Sequence, residues 1–520
     1  MLPEPVRRGG RRVGAVSGRG GVSALFALPP VEIPEGNAGR RRRLVVLLIC
    51  SSSLFMTYLD STILNVALPT LARDLHASLA SLQWVADAYL LVITSVLLMA
   101  GSTADRIGRK RLFLLGLTGF SLGSLLCSVA PSVGWLIALR MLQALGGSML
   151  TPVSLSIIRN VFTDSRERAN ALGIWSGIFG LATACGPVVG GILVSEVGWR
   201  SVFWVNVPVG VCMLIAARRY VPESKAPCPR AIDVPGQVLM IVFLGALTYG
   251  VIEGPAFGWD SARILGLLAV AAAALLSFVL AERRQREPLL ELRFFRSPPF
   301  TGASVIAVLA FTVLAGFLFL ITLYLQQVRG YSPLVAGLSL LPATAVMAVA
   351  APVGGQIVAR RGPRIPLVLG GLLTAAGALV LAGLAAGTSY AVLALAFALL
   401  GAGQGLVNPP ITITGVSGMP PAQAGVASAV ISSSRQFGNV LGVAVMGAML
   451  AAALGSTGAA VGVPAGGSGG AGAAHSPAFA AATHGPWWLA VACGLLIAVA
   501  GWLTTSRKSL ELARVVAQSD

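Results

Sequence analysis

The chain has 520 residues, of which 56% are hydrophobic and 11% charged, and a mean hydropathy of +0.83. A soluble domain of this size carries charge on about a quarter of its residues, so composition excludes a water-soluble globular protein. The net charge of +18 raises the question of a nucleic-acid partner, but the basic residues sit in short connections between apolar runs and form no continuous face, which excludes that class too.

Residues 1–43 are rich in Arg and Gly, and their one apolar patch, "VSALFALPPV", is too short to span and is broken by two prolines. They are expected to be a disordered basic cytoplasmic tail. Fourteen apolar stretches follow, each long enough to cross about 30 Å of hydrocarbon as a helix. They cover 44–68, 82–101, 112–131, 134–158, 168–194, 199–219, 234–254, 262–281, 299–324, 333–358, 364–386, 388–415, 424–453 and 486–505. The Gly/Ala-rich segment 455–486 reads as a flexible external loop, and 506–520 as a second tail. Six cysteines have no paired spacing and three histidines stand far apart, so neither a disulfide framework nor a metal site is expected.

The basic residues orient the chain. Of the 37 Lys and Arg, 31 fall in one set of alternate connections, which includes both tails, and four (Arg73, Arg200, Arg263, Arg329) in the other; Arg140 and Arg435 lie inside spans. The positive-inside rule then places both termini in the cytoplasm and requires an even number of spans. An internal repeat supports the count: "GSTADRIGRKRLFLLG" from residue 101 recurs as "GQIVARRGPRIPLVLG" from residue 355. The expected fold is therefore an all-α polytopic membrane protein with 14 transmembrane helices. It has two six-helix repeat halves, 44–219 and 299–505, and between them a linker, 220–298, with two inserted helices. Repeated halves of this kind build secondary transporters, with a substrate site at their interface.

Four motifs carry chemistry. In the 101–111 turn, Gly101 and Gly108 permit close backbone approach, while Asp105 can cap a helix or pair with Arg106 or Arg109. Such a cluster can act as a conformational latch. Ala359 replaces Asp105 in the second repeat, so a latch there is expected to be weaker. In "LDSTILNVALP" (59–69), Asp60 lies about 12 Å deep at 1.5 Å per residue, with Thr57 and Ser53 on its face and Asn65 beyond. In "LRMLQALGG" (139–147), Arg140 shares a polar stripe with Gln143 and Thr151. An intramembrane ionisable group costs about 2.5–3.5 kcal/mol at a helix centre. Asp60, Asp87 and Arg140 reach similar depths, so an acid–arginine network for proton coupling is expected, in which Arg140 pairs with Asp60 or Asp87 and the acid takes its proton when the pair opens. For Asp87 a solvated interfacial position is the open alternative; for Glu253, solvation is expected. Arg435 is expected to pair with backbone carbonyls or with substrate, a purely structural role being the open alternative. In span 5, Gly173, Gly177, Gly180, Ala184, Pro187 and Gly191 form a small-residue face for close helix approach, the proline adds a bend, and "GPVVGG" comprises Gly186, Pro187, Gly190 and Gly191.

Taken together, these motifs resemble those of the fourteen-helix drug:proton antiporter branch of the major facilitator superfamily over about residues 44–505. The 101–111 turn resembles that superfamily's signature between helices 2 and 3, and "LDSTILNVALP", "LRMLQALGG" and "GPVVGG" resemble its helix 1, helix 4 and exporter-associated helix 5 motifs. The resemblance implies a proton-coupled antiporter, not an enzyme, that exports small amphipathic or cationic drugs across the bacterial inner membrane by alternating access. It implies no cofactor beyond the proton gradient, no nucleic-acid partner and a monomer in the bilayer. The alternative is an uptake symporter on the same scaffold, against which "GPVVGG" speaks. No Gly-Lys pair occurs, so a phosphate loop for primary pumping is absent.

Overall fold

The computed structural model describes residues 37–225, 233–285, 290, 292–416, 424–456 and 472–505. The expected tails at 1–36 and 506–520 and the loop residues 457–471 lie outside them. Hydrocarbon offers no partner to backbone amides, so each apolar run closes its own hydrogen bonds as a helix. Fourteen helices are long and apolar enough to cross a membrane among the described residues, at the expected positions. They are α1 (Asn37–Asp74), α2 (Leu79–Ile107), α3 (Arg109–Ser128), α4 (Val133–Val161), α5 (Ser165–Glu196), α6 (Ser201–Tyr220) and α7 (Val234–Phe257). They continue as α8 (Ala262–Arg284), α9 (Pro298–Leu323), α10 (Pro333–Arg361), α11 (Arg364–Ala382), α12 (Tyr390–Val416), α13 (Ala424–Ser456) and α14 (His484–Thr504). Side-chain caps start several of them: Ser78, Ser132, Asp233, Ser261 and Ser332 each accept from a backbone N–H three residues on.

Two boundaries differ from expectation. Helix α1 begins at Asn37, inside the expected tail, where the Arg42 and Arg43 side chains find partners beyond the apolar core: Arg42 donates to the Tyr220 carbonyl and Arg43 pairs with Glu167 at 3.7 Å. Within the expected 455–486 loop, Gly472–Ala482 is helical, since its alanines favour helix and Phe479 and Ala480 are buried against the bundle.

The repeat is visible in the packing. In the first half α1 packs on α5, α2 on α4, and α3 on α4 and α6; in the second, α9 packs on α13, α10 on α12, and α11 on α12 and α14. Gly108 (φ 108°) and Gly362 (φ 81°) hold corresponding turns in a region open to glycine but not to most residues.

The halves meet along two seams, α2 against α13 and α5 against α10. Hydrogen bonds between the halves lie toward the end of the bundle opposite the Arg-rich turns. There the Gln83 amide donates to the Val443 and Ala444 carbonyls (3.2 and 3.1 Å), Gln326 to the Val66 carbonyl (2.9 Å), and the Leu334 N–H to the Ser195 hydroxyl (3.2 Å). At the same end a Cβ on Gly191 would stand 2.7 Å from the Pro333 carbonyl oxygen, and one on Gly186 would overlap the Thr62 hydroxyl. Toward the basic end, by contrast, Gly173, Gly177 and Gly180 of the same helix have nothing within 4 Å. The small-residue face of α5 is thus engaged over its far half and free over its basic half. The inserted helix α7 lies across the α2–α13 seam, where Trp84 donates to Glu253 (3.0 Å), Gln237 to the Ser95 carbonyl, and Phe243 packs on Phe437. Glu253, expected in water, is instead half-buried and bonded.

This division predicts opposite outcomes for one substitution at two sites. Gly186→Val should cost about 1–3 kcal/mol through overpacking, read as a lower thermal midpoint of the purified chain in detergent. Gly177→Val should leave the midpoint unchanged.

Candidate functional site

Helical spacing puts Arg140 and Gln143, one turn apart on α4, toward α1. Asp60 and Arg140 are each 1% exposed, and the Arg140 Nη1 donates to Asp60 Oδ2 at 2.6 Å and to Gln143 Oε1 at 2.8 Å. Asp60 Oδ1 accepts from Gln143 Nε2 (2.9 Å) and from Asn206 Nδ2 on α6 (2.7 Å). Both amides also donate to the Ser124 hydroxyl on α3 (3.2 and 3.0 Å), which donates in turn to the Phe203 carbonyl (2.9 Å). From α2, the Val85 carbonyl accepts from Arg140 Nε at 3.4 Å, and the Tyr89 ring lies 4.0 Å from the guanidinium carbon, in cation–π range. Five helices of one half thus converge on a single carboxylate.

The network pairs Arg140 with Asp60 and excludes Asp87, for a reason of period. Val85 and Tyr89 lie one turn apart on the face of α2 turned to α4, whereas Gln83 and Asp87 lie on the face that meets α13. Asp87 is fully buried and neither of its oxygens has a hydrogen-bond partner, so the solvated alternative does not hold. Nor does Asp60 open into a cavity. The partly exposed stripe of α1 is Phe55, Tyr58, Ser61 and Asn65, and Asp60 belongs to the opposite, buried face. Thr57 is buried on that face too, with its hydroxyl donated to the Ser53 carbonyl at 2.6 Å. Asn65 donates to the Ser61 carbonyl (3.3 Å), and Thr151 is half-buried farther along α4.

In the 101–111 turn, Asp105 pairs with Arg109 at 2.8 Å, one helical turn away. It does not cap α3. That role falls to Glu223 beyond α6, whose Oε1 accepts from the Lys110 N–H at 3.1 Å, placing a negative charge at a helix N-terminus. The Arg109 N–H donates to the Ser224 carbonyl (2.9 Å) and the Lys110 ammonium to the Arg218 carbonyl (2.8 Å). Gly108 is needed for its φ and because a Cβ would fall 2.6 Å from the Glu223 carboxylate; Gly101 has nothing within 4 Å, so close approach does not explain it. Arg106 also has a partner.

Arg435 on α13 faces the space between the halves. Its Nη2 donates to the Asn408 carbonyl (3.3 Å) and to the Thr412 hydroxyl, and its guanidinium carbon lies 5.6 Å from the Phe311 ring centroid. Phe311 continues through Phe179 of α5 (6.1 Å) to Tyr58 of α1 (4.6 Å, edge to face). Sequence reading missed Ser124, Asn206, Glu223 and this aromatic series. Asn206 alone left a signal, as an amide inside the apolar run "VFWVNVPVG"; a serine in a helix or a glutamate in a loop is too ordinary to stand out.

Two six-helix repeats that meet along α2–α13 and α5–α10, with a charge network sealed inside one of them, define a secondary-transporter scaffold. The chain belongs to the Major Facilitator Superfamily, whose family model matches residues 50–443. It is 41% identical over 417 residues to the tetracenomycin C resistance and export protein of Streptomyces glaucescens, covering 80% of this chain and 77% of that protein. It is 39% identical to the multidrug resistance protein Stp of Mycobacterium tuberculosis (80% and 78% covered) and 37% to the methylenomycin A resistance protein of Streptomyces coelicolor (81% and 88%). Among solved structures, a bacterial homologue of the human lysosomal transporter Spinster in an inward-facing, unoccupied conformation matches with a TM-score of 0.62 at 21% identity (93% and 99% covered). A peptide transporter, POT, in complex with sulfate matches with a TM-score of 0.65 at 15% identity (93% and 98%). Both share the fold. Family and relatives are transporters, not enzymes.

Removing one partner of a buried pair leaves an uncompensated charge and costs about 3–5 kcal/mol. Arg140→Ala should therefore lower the thermal midpoint sharply, and Arg140→Lys should recover part of the loss, keeping the charge without the fork. Adding Asp60→Asn to Arg140→Ala should restore stability toward wild type, so that a double-mutant cycle reads a large coupling.

Proposed function

We propose that this chain is a proton-coupled antiporter that exports small amphipathic drugs across a bacterial inner membrane by alternating access. On this reading both termini lie in the cytoplasm, the chain works as a monomer, and the proton gradient replaces any cofactor. The single observation that carries it is the Asp60 carboxylate, held at 2.6 Å from Arg140 where five helices meet. A proton on Asp60 cancels the charge that Arg140 answers and weakens the acceptor shared by the donors on α4 and α6. Proton binding is thereby tied to the packing of the half, which is what coupling requires. Asp87, sealed without a partner on the face of α2 that meets α13, ionises at a tolerable cost only when that seam opens. It is the second proton site. The Asp105–Arg109 pair and the Glu223 clasp hold the basic-end turn as a latch on conformational switching.

The 31-to-4 distribution of Lys and Arg supports the orientation. The engaged far end and free basic half of α5 support an inward-open arrangement. Export, not uptake, is favoured by relatives named for resistance and export.

Asp60→Asn should abolish drug efflux driven by an imposed pH gradient in everted vesicles while the protein remains folded and inserted. Uphill efflux by that variant at normal expression would rule out Asp60 as the essential carrier. Asp105→Asn and Arg109→Ala should slow turnover more than they weaken substrate binding. Unchanged turnover with lost binding would place the turn in recognition and remove the latch.

A further inference from the structure

Arg435 is a charged side chain in the body of a membrane helix without a counter-ion. The four ion pairs among the described residues do not include it. No Asp or Glu occurs anywhere in the sequence between Glu291 and Glu511, so its whole half lacks a carboxylate. Of the acids buried in the other half, Asp60 is paired with Arg140, and Asp87 forms no ion pair with Arg435. Arg435 Nη2 is bonded to a carbonyl and a hydroxyl, but its buried Nε has no partner. A guanidinium carries five N–H donors in a planar fork and is never neutral, so this one retains donor capacity and a full charge toward the space between the halves.

Its surroundings indicate what could use that charge. The Phe311, Phe179 and Tyr58 rings run from Arg435 across to the first half. One helical turn farther toward the far end, Leu314 on α9 and Thr183 on α5 line a small apolar recess, with Phe317, Leu318, Met347 and Gln404 in its wall. The arrangement is polarised: an apolar, aromatic-lined recess at one end and an unanswered cation at the other.

We propose that this transporter takes aromatic amphipaths bearing an anionic oxygen (a carboxylate, sulfonate or phenolate), with the rings in the recess and against Phe179 and Phe311 and the oxygen on Arg435. This rests on the reading of the chain as an exporter and selects, from the amphipathic and cationic substrates expected for it, the amphipathic acids. A lipophilic cation would meet like charge at Arg435, whose own half holds no carboxylate, and would be disfavoured.

Fluorescein and rhodamine 123 share a xanthene ring system and differ in charge, which makes them a matched pair. Binding of each to the purified full-length chain in detergent, measured by fluorescence anisotropy, should favour fluorescein by at least about tenfold, the worth of one charge-assisted hydrogen bond. Arg435→Gln should weaken fluorescein by a similar factor and leave rhodamine 123 unchanged or improved, while Arg435→Lys should retain intermediate affinity. If Arg435→Gln is not monodisperse, Arg435→Lys and Phe311→Leu carry the test, the first weakening the anion alone and the second weakening both dyes. Equal or tighter binding of rhodamine 123 to the wild type, or an equal loss of both dyes in Arg435→Gln, would overturn the proposal. An Arg435-dependent fluorescein site without pH-driven transport in vesicles would uphold it and defeat the exporter reading. Proton-driven export of rhodamine 123 that is indifferent to Arg435→Gln would do the reverse.

Discussion

An ion buried at hydrocarbon depth is costly, and each donor or acceptor that answers it lowers that cost. In the first half that cost falls on Asp60 and Arg140, and the helices around them are placed so as to lower it. Gln143 and Asn206 each bridge Asp60 to Ser124, Ser124 is anchored on the Phe203 carbonyl, and Val85 and Tyr89 close the guanidinium from α2. Rotating any of these helices would orphan a donor or the carboxylate itself. The network therefore ties α1, α2, α3, α4 and α6 together, and a single proton is the lightest change that can loosen it.

The second half repeats the fold without repeating the chemistry. Its helices pair in the same order, and its first turn keeps the glycine, Gly362 for Gly108. Ala359, however, stands where the first repeat has Asp105, and no acid follows Glu291 before Glu511. Its buried polar side chains bond to backbone instead, as Gln404 does to the Ala310 carbonyl and Thr312 to the Gly438 carbonyl. Symmetry of the bundle and asymmetry of charge are compatible because packing depends on shape, while the ionisable groups occupy only a few positions on the helix faces. One half thereby buries an acid–arginine pair, and the other holds an arginine with no carboxylate in its own half.

Between these halves α5 has two kinds of surface in one small-residue face. Over its far half Gly191 removes a side chain that would collide with Pro333 of α10, and the backbones approach closely enough for van der Waals contact to hold the seam. Over its basic half the same residue type faces open space, a surface ready to pack when the other end opens. Helix α7 spans the second seam with Trp84, Glu253, Phe243 and Phe437, so the inserted pair is part of the contact between halves and not an ornament on one of them.

Much of this architecture was legible in the amino-acid order, since hydrocarbon allows few solutions: an apolar run of sufficient length must be a helix, and basic residues sort its ends. The fourteen spans, the repeat, and the depth of Asp60, Asp87 and Arg140 all follow from counting along the chain. What counting does not give is azimuth. Asp60 and Asp87 lie at similar depth, yet one faces the interior of its own half and the other faces α13, a difference set by helix rotation and by which neighbours supply donors. Glu223 and Asp105 are likewise indistinguishable as loop acids until the turn after α6 folds back on α3. The sequence by itself determined the number, order and polarity of the helices, because those depend on solvation one residue at a time. Only the tertiary structure decided which charge meets which, because that depends on the rotation of helices distant in the chain.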